Sequence, residues 1–358
     1  LNTEKIEGNS QSKNEKTMKK MSLLLFSLVL LYSCGNDDDS ATQNAYSIEI
    51  KNIETLVGED KIKVSFKLTD ANNVGISNQT DSDFNLYERA ISVGESEQLI
   101  DPTEAPRLIV PNPQNYRYAT MIVMDLSGSV IDEIENIKSA ATVYVSNLFN
   151  EINSGALEVA IYYFDGREQL QELIGFSNSS QNIIAAISGM STQLQQDVST
   201  NLYGAVVQSC AIMQSKKNQI QNDPATNIWS SSMVFFSDGK NQDFFSNRED
   251  MNASINNTLF NTGFYVIGAG NDIDTSVITD IGRNGQFLID NYSQLNSGLN
   301  NVLDVIRREA NSNYELEICT GKSNIEVEFR LESKGTPTLG GTGTYDTNGF
   351  TGNNCSIN

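Results

Sequence analysis

Between residues 116 and 311, short apolar runs of strand character alternate with stretches of helical periodicity, and this alternation restricts the fold more than any other property of the chain. The runs are "TMIVMD", "ALEVAIYYF", "LQELIGF", "SSMVFFSD", "FYVIGAG" and "QFLID". Helical spacing is read near 130–152, 181–189, 201–215, 250–260, 274–282 and 293–311. Strands that are apolar without alternation are buried on both faces, which implies a mostly parallel, doubly wound α/β sheet with helices on either side.

The flanks have a different period. In "DKIKVSFKLTD", Ile62, Val64, Phe66 and Leu68 fall on one face, and in "NIEVEFRL" so do Ile325, Val327, Phe329 and Leu331. "YSIEI", "DFNLYE" and the turn "DANNVG" extend this reading. The expectation is an antiparallel β-sandwich into which the α/β domain is inserted, or which flanks it, because each half alone has few strands to close a core. Four of the six prolines lie between 102 and 113 and read as a linker. The expected boundaries are 45–112 for the first part of the sandwich and its linker, 113–311 for the α/β domain, and 312–358 for the C-terminal β segment.

The 358 residues include no histidine. That excludes Ser-His-Asp and Cys-His catalysis and every His-ligated metal. Carboxylate pairs, Ser-Lys chemistry and hard cations held by oxygen remain. A formal net charge of −21 disfavours nucleic acid and anionic lipid headgroups as partners.

Residues 1–33 read as an upstream extension, ahead of a start at Met18, followed by a signal peptide. Lys19 and Lys20 precede the apolar "MSLLLFSLVLLY", shorter than the about 20 residues a membrane span needs. "LYSC" resembles the lipobox of bacterial lipoproteins, which implies lipid attachment at Cys34. The acidic "CGNDDDS" that opens the 34–44 tether resembles the export signal of surface lipoproteins of Bacteroidetes-type bacteria, implying the outer face of the outer membrane. Asp39-Ser40-Ala41 resembles an O-glycosylation motif of those bacteria, with Ser40 as acceptor. In that oxidising setting Cys319 and Cys355, both in the C-terminal segment, are the expected disulfide. Cys210, in a helical pattern, is the expected free thiol.

Ligands of open α/β sheets sit beyond the carboxyl ends of the strands, where strand order reverses. Two apolar runs end there in aspartate, Asp125 and Asp238, both expected to face solvent. "MDLSGSV" adds Ser127 and Ser129, and "DVSTNLYGAV" places Thr200 at an N-cap type position. Two carboxylates and three hydroxyls, without nitrogen or sulfur, suit Mg²⁺, Mn²⁺ or Ca²⁺. Taken singly, each part also reads as a capped turn or a helix cap. Together the residues resemble the metal-ion-dependent adhesion site of von Willebrand factor type A domains. The Asp-x-Ser-x-Ser motif matches Asp125, Ser127 and Ser129, its threonine matches Thr200, and its strand-end Asp-Gly matches Asp238.

The resemblance implies divalent-metal-dependent binding of a protein or glycan partner that supplies an acidic group to the ion, on a chain held to the membrane by its N-terminal lipid. No catalytic residue is expected, since no base is evident beside the hydroxyls. The alternative expectation is a structural subunit of an outer-membrane transport, secretion or envelope complex, with a carboxylate-pair hydrolase as a more distant one.

Overall fold

The computed structural model describes residues 45–358 except 112, 114, 115, 153–156, 227, 271, 272, 353, 354 and 358. The expectations placed on the signal peptide, the tether, Cys34 and Ser40 lie outside the described residues.

Five strands come first: β1 (Tyr46–Leu56), β2 (Lys61–Thr69), β3 (Phe84–Ala90), β4 (Gln98–Leu99) and β5 (Arg107–Pro111). Strands and helices then alternate through β6 (Tyr116–Asp125), α1 (Ile134–Glu151), β7 (Leu157–Phe164), β8 (Gln171–Ser177), α2 (Ser180–Ser188), α3 (Leu202–Gln221) and β9 (Ile228–Ser237). They continue as α4 (Arg248–Thr258), β10 (Thr262–Ala269), α5 (Thr275–Ile281), β11 (Gly285–Ile289) and α6 (Leu295–Ala310). Four strands close the chain: β12 (Asn313–Cys319), β13 (Glu326–Ser333), β14 (Thr338–Gly340) and β15 (Thr342–Asp346).

The α/β segment forms one sheet in the order β11-β10-β9-β6-β7-β8, parallel throughout except for β8, which runs antiparallel to β7. Its first strand, β6, lies in the middle. The chain goes to β7 and β8 on one side of β6 and then crosses to β9 on the other, so strand order reverses between β6 and β9. Their register pairs Met124 with Phe236. Both faces are covered, which accounts for the unbroken apolar runs. Ile122 and Met124 pack with Ile137 of α1, Ile183 of α2 and Val302 of α6. Met121 and Val123, on the opposite face, pack with Val206 of α3, Met251 of α4 and Val277 of α5.

The remaining strands make two antiparallel sheets, apart from one parallel pairing of β14 with β1. One has the order β14-β1-β2-β12-β5 and the other β15-β13-β3-β4. Each combines strands from before and after the α/β segment. Their shared core contains Ile62, Val64, Phe66 and Leu68 of β2 with Leu86, Phe329 and Leu331. Phe66 stacks on Tyr314 with ring centroids 5.3 Å apart and meets Phe84 edge-on at 5.6 Å. The stretch 102–113, expected to be a linker, contains strand β5, antiparallel to β12. Prolines are tolerated there because β5 is an edge strand, where a missing N–H breaks no interior ladder.

The return from the α/β segment to the sandwich is short. α6 ends at Ala310 and β12 begins at Asn313, between β2 and β5. Ser312 Oγ donates to the Glu309 carbonyl at 2.7 Å, Leu68 N–H donates to the Ser312 carbonyl at 3.0 Å, and Lys67 Nζ pairs with the Glu309 carboxylate. Cys319 and Cys355 form a disulfide. Cys210 is a free, buried thiol, and burial pushes its pKa up to about 12. Among the described residues, no helix is long and apolar enough to cross a membrane.

Candidate metal centre

Asp125 is the last residue of β6 and Asp238 the first beyond β9, so neighbouring strands on either side of the reversal deliver both carboxylates to one end of the sheet. Neither faces solvent freely as expected. Asp125 is 0% exposed and Asp238 7%, because the loops that follow fold back over the strand ends. Ser127 and Thr200 are also buried, whereas Ser129 is exposed. Four of the five side chains are thus buried, and Ser129 is the one exposed to solvent.

Asp125 holds the first loop in shape. Its Oδ1 accepts from Ser127 N–H at 2.9 Å, and its Oδ2 accepts from Ser237 Oγ at 2.8 Å. Ser127 and Ser129 Oγ lie 3.4 Å apart, and Ser129 Oγ donates to Asp238 Oδ2 at 3.1 Å. Asp238 Oδ1 accepts from Lys240 N–H at 3.0 Å. Gly239 follows at φ +80°, where a side chain would be strained and where a Cβ would stand 2.9 Å from the Asp274 carbonyl oxygen.

Thr200 does not cap α3. Asn201 does, its Oδ1 accepting from Gly204 N–H at 3.1 Å, so Thr200 stands one residue outside the helix with its hydroxyl relieved of capping. The Thr200 loop is fastened to the serine loop: Gly128 N–H donates to the Val198 carbonyl at 2.9 Å, and Gln195 Nε2 donates to the Leu126 carbonyl at 3.1 Å. It is also fastened to the loop after Asp238, whose Gln242 N–H donates to the Thr200 carbonyl at 2.8 Å.

A third strand-end aspartate, Asp165 after β7, was not singled out from the sequence, although "YYFDG" carries the same signal as "FFSDG". Its side chain is buried and accepts from Arg167 Nε at 2.8 Å, Arg167 N–H at 3.0 Å and Gln196 N–H at 2.9 Å. Burial opposes its ionisation, but the Arg167 and amide hydrogen bonds outweigh that and hold the carboxyl below the ordinary range. It is a clamp for the 195–200 loop. At Gly166 a Cβ would stand 1.9 Å from Ser199 Oγ and 2.6 Å from Asp197 Cγ, so any side chain there would displace these two.

Asp125 has the opposite balance. Burial raises its pKa to about 6, hydrogen bonds from Ser127 and Ser237 offset part of the rise, and the charge of Asp238 adds to it. Tyr292, ahead of α6, is half-buried; burial first, then the charges of Asp125 and Asp238, raise the pKa of its hydroxyl. Among the described residues no three His, Cys, Asp or Glu side chains converge as metal ligands. The set is two carboxylates and three hydroxyls, with water needed to complete a shell. That donor chemistry fits a hard divalent cation, which would also neutralise the two facing carboxylates.

No protein-family model matches the chain, and no curated protein matches it. The chain is similar to the solved structure of the conserved hypothetical protein BatB from Bacteroides thetaiotaomicron, at 14% identity and a TM-score of 0.42 over 54% of this chain and 98% of that one. It is similar to a von Willebrand factor type A structure from Catenulispora acidiphila, at 12% identity and a TM-score of 0.42 over 86% of this chain and 74% of that one. It is also similar to the manganese-loaded TRAP protein of Plasmodium vivax, at 12% identity and a TM-score of 0.44 over 68% of this chain and 98% of that one.

Proposed function

We propose that the chain is a binding protein rather than an enzyme, and that it captures a protein or glycan partner through a divalent cation held by Asp125, Ser127, Ser129, Thr200 and Asp238. The observation that carries this reading is the buried Asp125 carboxylate set against Asp238, with no basic side chain among its hydrogen-bond donors in the described residues. A buried like-charged pair is costly unless a cation joins it. Bound there, Mg²⁺ or Mn²⁺ supplies an electrophilic position for a partner's carboxylate. The serine loop, the Thr200 loop and the Asp165 clamp keep the protein's own donors in place.

The lipid-anchored, surface-exposed location belongs to the same proposal and rests on the lipobox and acidic tether of the sequence. A surface anchor suits a module that meets partners outside the cell.

Calorimetric titration of Mg²⁺ and Mn²⁺ into the protein and into Asp125→Ala tests the centre. The expected result is binding by the wild type and its loss in the variant; equal binding by both would overturn the assignment. Partner capture at the native surface should disappear with chelator, and capture that persists would overturn metal-dependent binding.

A further inference from the structure

The loops that carry the candidate ligands also carry large apolar side chains that are left exposed among the described residues. Phe244 is 98% exposed, Val198 73% and Phe245 53%. Val198 lies directly against the serine loop: a Cβ at Gly128, between Ser127 and Ser129, would stand 3.2 Å from Val198 Cβ. Phe244 and Phe245 follow a segment pinned to the 195–200 loop, where Gln242 N–H donates to the Thr200 carbonyl at 2.8 Å and Asp243 Oδ2 lies 2.9 Å from Ser199 Oγ. Asn241 braces the same turn, its Nδ2 donating to the Asp243 carbonyl at 2.6 Å and its Oδ1 accepting from Tyr203 N–H at 3.0 Å. The apolar side chains are thus held outward by a hydrogen-bonded scaffold shared with the metal centre.

We infer that the partner of this centre is a protein segment with an apolar side chain close to the carboxylate it offers, seated on Val198, Phe244 and Phe245, and not a glycan. The inference rests on the metal-dependent binding proposed above. Phenylalanine and valine recover free energy by being covered with apolar surface, which a protein side chain supplies. The charges around them narrow the partner further. Ser199 Oγ lies 2.7 Å from the Asp197 carboxylate and 2.9 Å from that of Asp243, sharing its one proton between them, so two acidic side chains stand beside the apolar ones on a chain of net charge −21. Such a surface repels a polyacidic segment and admits one carboxylate, for the ion, among apolar or basic neighbours.

The test is a displayed random-peptide library selected on the protein in Mn²⁺ and released with chelator, beside a glycan array probed under the same conditions. Selected peptides should share one acidic residue with an apolar neighbour. They should bind Phe244→Ser at least about tenfold more weakly, as expected for uncovering one aromatic side chain, while Mn²⁺ affinity stays unchanged. Peptides without an apolar preference, equal affinity for the variant, or chelator-sensitive binding to glycans alone would overturn the inference. Failure of the wild type to bind Mn²⁺ would instead overturn the metal centre, and this inference with it.

Discussion

Ser129 and Asp238 are 109 residues apart in sequence and joined by a hydrogen bond of 3.1 Å from the serine hydroxyl to Oδ2 of the aspartate. It closes the loop after β6 onto the loop after β9, so the two halves of the candidate centre orient each other. Ser129 is exposed, and its removal should leave stability within about 0.5 kcal/mol. Ser129→Ala should nonetheless weaken Mn²⁺ binding about 10- to 100-fold, as loss of an orienting or ligating group does. Calorimetry that returned wild-type affinity would remove Ser129 from the ligand set.

At Asp125, stability and the proposed metal binding pull in opposite directions. Its pKa of about 6 means that the folded protein resists ionising this carboxyl, by about 3 kcal/mol relative to an unfolded aspartate. Without metal at neutral pH, Asp125→Asn should therefore stabilise the protein by roughly 1–2 kcal/mol, once one weakened hydrogen bond is allowed for. Added Mn²⁺ should raise the melting temperature of the wild type and leave that of the variant in place. Thermal scans with and without the ion would read both effects, and a variant that melts lower than the metal-free wild type would contradict the first.

A Cβ at Gly166 would collide with the side chains of Ser199 and Asp197 on the 195–200 loop. Gly166→Ala should push Ser199 and Asp197 away, costing about 1–3 kcal/mol of stability, and should carry Thr200 with them. Metal affinity should fall even though no ligand has been changed. Urea unfolding and Mn²⁺ titration on the same sample measure the two consequences, and intact metal affinity would show that Thr200 is positioned independently of the clamp.

Glu88 gives the sandwich a pH dependence of its own. It is buried on β3, where it accepts from Tyr345 Oη at 2.5 Å, and burial raises its pKa despite the help of Tyr345, Lys322 and Thr320. A carboxyl whose pKa is higher folded than unfolded holds its proton more tightly in the native state. Its contribution is complete at low pH and declines as the pH rises from the ordinary glutamate value, about 4.3, through the raised one. Glu88→Gln should therefore compare more favourably with the wild type at pH 7 than at pH 4. Urea midpoints at the two pH values check the sign, and an unchanged difference would show that Glu88 does not titrate in this range.

The strand-end aspartates were legible because β6 and β9 are buried on both faces, so an acidic residue breaking an apolar run had to mark the edge of the core. Ser127 and Ser129 could be read with them, being local to Asp125. The burial of Asp125 was not legible, since it depends on Ser237 and on loops distant in sequence. Thr200 was assigned a capping position because threonine and asparagine both cap helices, and only the Asn201 contact with Gly204 separates them. β5 was obscured by its prolines, whose meaning changes once the strand is known to lie at an edge. The apolar pair in "QDFFSN" carried no signal in the sequence, since only the fold of the loop around it leaves both rings exposed.

The junction between α6 and β12 bears on what binding can do beyond the centre. Only Asn311 and Ser312 separate the helix from a strand paired on both edges, and Ser312 is itself bonded to the helix end and to Leu68. The linkage has no slack. A lengthwise stroke of α6 would have to drag β12 through its pairing with β2 and β5, and a slip of one residue would turn Tyr314, Leu316 and Ile318 out of the core. The sandwich is therefore an anchorage for the last helix, and if a partner pulls on the proposed centre, that load passes from α6 into covalently continuous β-structure held on both edges.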